Sequence, residues 1–113
     1  MISLIICART GNVSDTLLNN VESTIGCDHE WVVIDNSRHQ YNIFQAYNIG
    51  VARAKGDILC FMHDDILYHT NNWGTKIEDL FMDDSIGQVG AAIRYYSYSI
   101  PRWQRKLINL FIR

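Results

Sequence analysis

Apolar and polar positions alternate in blocks along the chain. Ile2 to Cys7 is an apolar run with β-branched residues and reads as a strand buried on both faces. Gly11-Asn12 breaks it. Ser14-Asp15 then caps a helix that carries Leu17, Leu18, Val21 and Ile25 at helical spacing, and Gly26 ends it. Trp31 to Ile34 is a second buried strand, followed by the turn chemistry of Asp35-Asn36-Ser37. From Asn42 a second helix is predicted, with Ile43, Phe44, Tyr47, Val51 and Ala54 on one face and Gly56 as its C′ residue. Ile58 to Met62 is a third strand. Trp73 to Met82 is a third helix, with Trp73, Ile77, Leu80 and Phe81 inward. Ile86 to Ile93 reads as a fourth strand interrupted by Gly87 and Gly90, and Arg102 to Ile112 as a final amphipathic helix.

Strands that alternate with helices imply right-handed crossovers and a mostly parallel sheet with helices on both faces, a three-layer α/β/α fold. The 113 residues suit one domain. Residues 1–101 would form its α/β body and residues 102–113 a basic amphipathic helix of the same domain. With 48% hydrophobic and 19% charged residues the chain can bury a core. No apolar run approaches a membrane-spanning length, and the opening apolar stretch is short for a signal peptide and lacks a basic leader. Three irregularly spaced cysteines do not suggest a disulfide framework; Cys7 and Cys60 read as buried free thiols, and a cytoplasmic, reducing compartment is expected.

Charge changes the picture in one respect. Residues 1–101 hold six basic and twelve acidic side chains, whereas residues 102–113 hold Arg102, Arg105, Lys106 and Arg113. An acidic body is the wrong surface for a nucleic acid. The basic tail admits three readings: a helix docked on the sheet, contact with a partner subunit such as a second copy, or peripheral attachment at a membrane surface.

Ligands of open α/β sheets bind beyond the carboxyl ends of the strands. The segments there are Ala8-Arg9-Thr10, Asp35-Asn36-Ser37 and His63-Asp64-Asp65. Two adjacent carboxylates after an apolar strand need a cation or donors to offset their desolvation. Mg²⁺ and Mn²⁺ take one or two protein carboxylates together with substrate phosphates, so Asp64-Asp65 suggests a metal–diphosphate site. The alternative is a solvated or capping pair. Asp35 suits a nucleobase or ribose, or equally an Asx-turn or helix cap. Arg9 suits a phosphate, or is a plain surface residue. His63 and His69 could join Asp64 and Asp65 in a zinc centre only with convergent geometry, and His29 and His39 read as loop residues.

In order and spacing these segments resemble a family-2 glycosyltransferase of the GT-A fold. The carrying pieces are Ile6-Cys7-Ala8-Arg9, Val32-Val33-Ile34-Asp35-Asn36-Ser37, Asn48-x-Gly50 with Ala54-x-Gly56-Asp57, and Leu59-Cys60-Phe61-Met62-His63-Asp64-Asp65. The resemblance spans residues 2 to about 92. It implies inverting transfer of a sugar from a nucleotide-diphosphate donor to a saccharide or lipid-linked acceptor. By position it implies nucleotide-sugar contacts for Ala8, Arg9, Asp35, Ser37, Asn48 and Asp64, and a Mg²⁺ or Mn²⁺ site at Asp65 with Asp64. Asn48 and Arg53 would lie on the helix whose start flanks the nucleotide.

Two departures accompany the match. Met62 stands where many members carry a further acidic residue. No carboxylate takes the place of the base that inverting transfer requires, since Asp83 and Asp84 read as a connecting loop. The chain therefore reads as a truncated GT-A fold, the donor-binding portion of a transferase. A non-catalytic α/β binding or interaction domain derived from the fold is the alternative. Receiver and dinucleotide-binding domains fit less well: the first lacks acidic residues after strand one, the second a glycine-rich first turn.

Overall fold

The computed structural model describes residues 1–90 and 110–112. Its elements are β1 (Ile2–Ala8), α1 (Asp15–Thr24), β2 (His29–Asp35), α2 (Ile43–Arg53), β3 (Ile58–Met62), α3 (Trp73–Leu80), β4 (Gln88–Gly90) and β5 (Leu110–Ile112). They form one sheet in the order β2-β1-β3-β5-β4. β1 pairs in parallel with β2 and β3, whereas β5 runs antiparallel to both β3 and β4. The expected mostly parallel α/β sheet is present.

β1 shows why the fold has three layers. Ile2, Leu4, Ile6 and Ala8 face one side and pack with Leu17, Val21 and Ile25 of the α1 region and with Trp73 and Phe81 around α3. Ile5 faces the other side and packs with Val32, Ile34 and Ala46. A strand has a side-chain period of two, so one continuous apolar run serves both cores.

Local chemistry sets the helix ends. Ser14 Oγ accepts from Leu17 N at 3.2 Å, and Gly26 follows α1 with a φ of 74°. Asn42 and Gln45 cap α2 reciprocally, each side chain bonding the other's backbone N–H.

Four expectations are corrected. The buried residues of α2 are Ala46 and Gly50, whereas Phe44 is 76% exposed and Val51 faces solvent. The sheet lies so close that a Cβ on Gly50 would run into Ile5 Cγ2, so small residues take the nearest approach, while the expected Tyr47 and Ala54 pack partly buried against the same cluster. Gly56 is not a left-handed cap: α2 ends at Arg53 with Ala54 as its C-cap, and Gly56 is small because a Cβ there would strike Met1 O and Ser3 Oγ. α3 ends at Leu80, which is exposed. Leu110–Ile112 is a strand wedged between β3 and β4, not the end of a helix; backbone pairing on both sides outweighs the helical spacing of so short an apolar run. The rest of the expected tail helix, residues 102–109, and the end of the expected fourth strand beyond Gly90 lie outside the described residues. No helix among the described residues is long and apolar enough to cross a membrane.

Candidate functional site

Register brings the three candidate segments together. Ala8 pairs with Asp35, and Ile6 with Met62, so the chain leaves β1, β2 and β3 side by side on one edge. Two backbone bonds tie the first two exits to one carbonyl: Gly11 N and Asn36 N both donate to Ala8 O, at 3.2 and 3.0 Å. Gly11 has a φ of 86°, and a Cβ on it would stand 3.0 Å from Asp35 Oδ1. Glycine is needed there for the left-handed backbone and for the close approach to the carboxylate.

Asn36 is the keystone of this edge, although its sequence context suggests only a turn residue. It is buried. Its side-chain amide donates to Tyr41 O at 3.0 Å and to Cys7 Sγ at 3.4 Å, and its Oδ1 accepts from Tyr41 N at 3.0 Å. One side chain thus fixes the β2 exit, the end of β1 and the approach to α2. An amide separated from an apolar run only by Asp35, just beyond the last residue of β2, is the signal that could have marked it.

Arg9 and Asp64 form the centre. Arg9 Nη2 donates to Asp64 Oδ1 at 3.0 Å, Nε reaches Oδ1 and Oδ2 at 3.2 and 3.3 Å, and the Arg9 backbone N donates to Oδ2 at 3.0 Å. The Asp64 side chain is only 13% exposed, whereas Asp65 is 64% exposed with Oδ2 3.6 Å from Arg9 Nη2. Burial pushes the Asp64 carboxyl up, but the Arg9 side-chain and backbone hydrogen bonds and its charge outweigh that and hold it below the usual range. The Arg9 guanidinium is held more firmly protonated by the same bonds, then by the charges of Asp64 and Asp65.

Two open clefts meet at this ion pair. One, of about 390 Å³, is lined by Arg9, Thr10, Asn12, Ser14 and Asp64. The other, of about 310 Å³, is lined by Cys7, Arg9, Asn36, His39, Ile43, His63, Asp64 and Asp65. His39 was expected to be only a loop residue; its φ of 53° is left-handed, and it lines this second cleft. Cys7, also expected to be fully buried, is half-buried there.

The remaining candidates fall in different places. Ala8 is fully buried and offers its carbonyl to the loops, not a side chain to a ligand. Asp35 is exposed at the strand end, and its Oδ1 accepts from Ser37 N at 2.9 Å, which is the Asx-turn. Hydrogen bonds from the Ser37 backbone and hydroxyl keep the Asp35 carboxyl below its ordinary range. Asn48 is exposed in the middle of α2 and lines neither cleft. Arg53 lies in the last turn of α2, roughly 15 Å along the axis from Ile43, and so belongs to the opposite edge. Asp83 and Asp84 sit in the turn after α3.

The donor set bears on a metal. Among the described residues no group of three or more His, Cys, Asp or Glu could hold an ion, so the His63–His69 zinc centre does not assemble. Asp65 is an accessible hard carboxylate beside a cleft. That fits Mg²⁺ or Mn²⁺ bound by one carboxylate with phosphates and water completing the shell.

A sequence profile of a glycosyltransferase-like family matches residues 3–99, a span that takes in both clefts and all three strand exits. The chain belongs to this glycosyltransferase-like family. Comparison with curated proteins gives no match. The match agrees with the resemblance carried by the strand-end motifs, and the three parallel strands flanked by helices form a GT-A-like arrangement.

Proposed function

We propose that the chain binds a nucleotide-diphosphate sugar at the carboxyl edge of β1, β2 and β3 and serves inverting transfer of that sugar to a saccharide or lipid-linked acceptor. The observation that carries this reading is the meeting of Arg9, Asn36, His63, Asp64 and Asp65 around one cleft in a chain of this family. Asp35 keeps acceptor capacity beyond its bond to Ser37 and serves the nucleoside end. Arg9 faces the phosphates with a planar fork. Asp65 holds the divalent ion, which when bound supplies neutralisation of the charge on the leaving nucleoside diphosphate. None of the described carboxylates is assigned the role of base. The residues of this edge bind and orient the donor.

Titration with nucleotide-diphosphate sugars, with and without Mn²⁺, tests the proposal. Saturable binding that Mn²⁺ strengthens is expected, and Asp65→Ala should weaken it roughly tenfold or more, the scale of a lost charge-assisted contact. The reading fails if no such donor binds and Asp65→Ala changes nothing. A donor that binds but is neither transferred nor hydrolysed supports the narrower form of the reading, the donor-binding portion of a transferase.

A further inference from the structure

The two adjacent carboxylates occupy different environments. Asp64 is nearly covered and accepts four contacts from Arg9, which engage both of its oxygens. A carboxylate withdrawn this far from water needs such compensation, and a bidentate arginine is among the strongest sources of it. Asp65 is largely open, and its 3.6 Å approach to Arg9 Nη2 is an ion pair too long for a hydrogen bond. Arg9 is itself 65% exposed and lines both clefts. Its bonds to Asp64 use Nε and Nη2, so the Nη1 edge of the fork lies outside that grip.

We infer that Asp64 is a positioning residue that seats the Arg9 guanidinium, and that Arg9 so seated is the chain's own cation for the donor diphosphate, beside the divalent ion that the proposed function already gives to Asp65. The inference rests on the nucleotide-sugar reading of the site and divides its labour. An oxygen already held by a guanidinium and a backbone N–H is a poor metal ligand, because coordination would have to displace Arg9 and leave a second charge unpaired. The seated fork presents its free N–H groups in a fixed plane, the geometry that recognises phosphate oxygens. Anion binding therefore depends on Arg9 and Asp64, persists in part without metal, and separates from ion binding at Asp65.

The test uses the whole chain, labelled with ¹⁵N, and two simple probes. Mn²⁺ alone should broaden amide signals around Asp65. That broadening should survive in Asp64→Asn and vanish in Asp65→Asn. Inorganic pyrophosphate in EDTA should shift the Arg9 Nε–Hε signal saturably, and Asp64→Asn should weaken this binding roughly tenfold. Arg9→Lys keeps a cation beside Asp64, and its amide spectrum reports whether the fold is kept. It keeps the charge but loses the fork, so pyrophosphate binding should fall while Mn²⁺ broadening stays. The inference is overturned if Asp64→Asn abolishes the Mn²⁺ effect as Asp65→Asn does, or if pyrophosphate leaves Arg9 unmoved. A nucleoside diphosphate that binds no better than pyrophosphate would instead sink the nucleotide reading and leave the Arg9–Asp64 seat standing.

Discussion

Three thiols sit in three environments, and they report on the site directly. Cys60 is fully buried, and burial pushes its thiol up to about 12. Burial and the neighbouring Glu78 push Cys27 up to about 11. Cys7 is half-buried and lines the cleft that holds Asp65. The thiolate is the reactive form, so Cys60 and Cys27 should resist iodoacetamide near neutral pH; Cys7 is reachable from the cleft and should be labelled. A bound nucleoside diphosphate should slow that labelling, read as peptide mass shifts over time. Faster modification of Cys60 than of Cys7 would contradict the packing described. At this scale the candidate residues were readable and their partners were not. Asp64 and Asp65 stand out in the sequence as a pair, yet nothing in one dimension shows that Arg9, 55 positions earlier, claims both oxygens of the first and almost none of the second.

At the scale of elements, α2 teaches most. Its start was legible, because Asn42 and Gln45 form a capping box that local sequence encodes. Its buried face was legible only in part: Tyr47 and Ala54 pack against the core as expected, whereas Phe44 and Val51 do not. Hydropathy favours Phe44 and Val51, but the helix lies so close to Ile5 that the small residues Ala46 and Gly50 stand at the nearest approach, with Tyr47 packed beside them. Which face turns inward was decided by the distance to the sheet, a tertiary quantity. Gly50→Ala is therefore expected to destabilise the chain by about 1–3 kcal/mol, the usual range for forcing a methyl into a packed contact, despite alanine's better helix propensity. Chemical denaturation checks this; a stabilised Gly50→Ala variant would show that the helix has room to move. The strand Leu110–Ile112 makes the same point, since its three apolar residues fit a helical stripe as well as a strand and only pairing with β3 and β4 decides.

Across the whole molecule, the two edges of the sheet carry different work. The carboxyl edge gathers the exposed charges of the clefts. The opposite edge is knitted together. Ser3 Oγ donates to Glu30 Oε1 at 2.6 Å and accepts from Gly56 N at 2.8 Å, and Lys55 N also donates to Glu30. The N-terminal amine meets Asp57 at 2.8 Å. Between α1 and β2, His29 Nδ1 faces Cys27 O and Nε2 faces Glu22 Oε1, both at 2.8 Å, with Trp31 Nε1 donating to the same oxygen. Both ring nitrogens face acceptors, which suits the protonated imidazole.

Burial pulls the His29 ring down from its ordinary 6.5, but the bonds to Glu22 and to the Cys27 carbonyl, with nearby acidic charge, carry it above that value. Glu22 is held below its ordinary 4.5 by bonds from His29 and Trp31. The His29 contribution to stability is thus fully present below 6.5 and is lost as pH climbs through the raised value. The Glu22 contribution is present above 4.5 and is lost as pH falls through the lowered one. Thermal melts across that range should show a decline on the alkaline side that Glu22→Gln flattens. An unchanged profile in Glu22→Gln would remove the pair from the account.

The claim on which the functional account stands is that one cleft at the carboxyl edge receives the donor. Amide shift mapping during titration with a nucleotide-diphosphate sugar and Mn²⁺ tests it most directly. The account predicts shifts concentrated at Arg9, Asn36 to His39 and His63 to Asp65, with residues of the opposite edge such as Gly56 and His29 unmoved. Shifts centred away from these segments, or none at saturating donor, would contradict it.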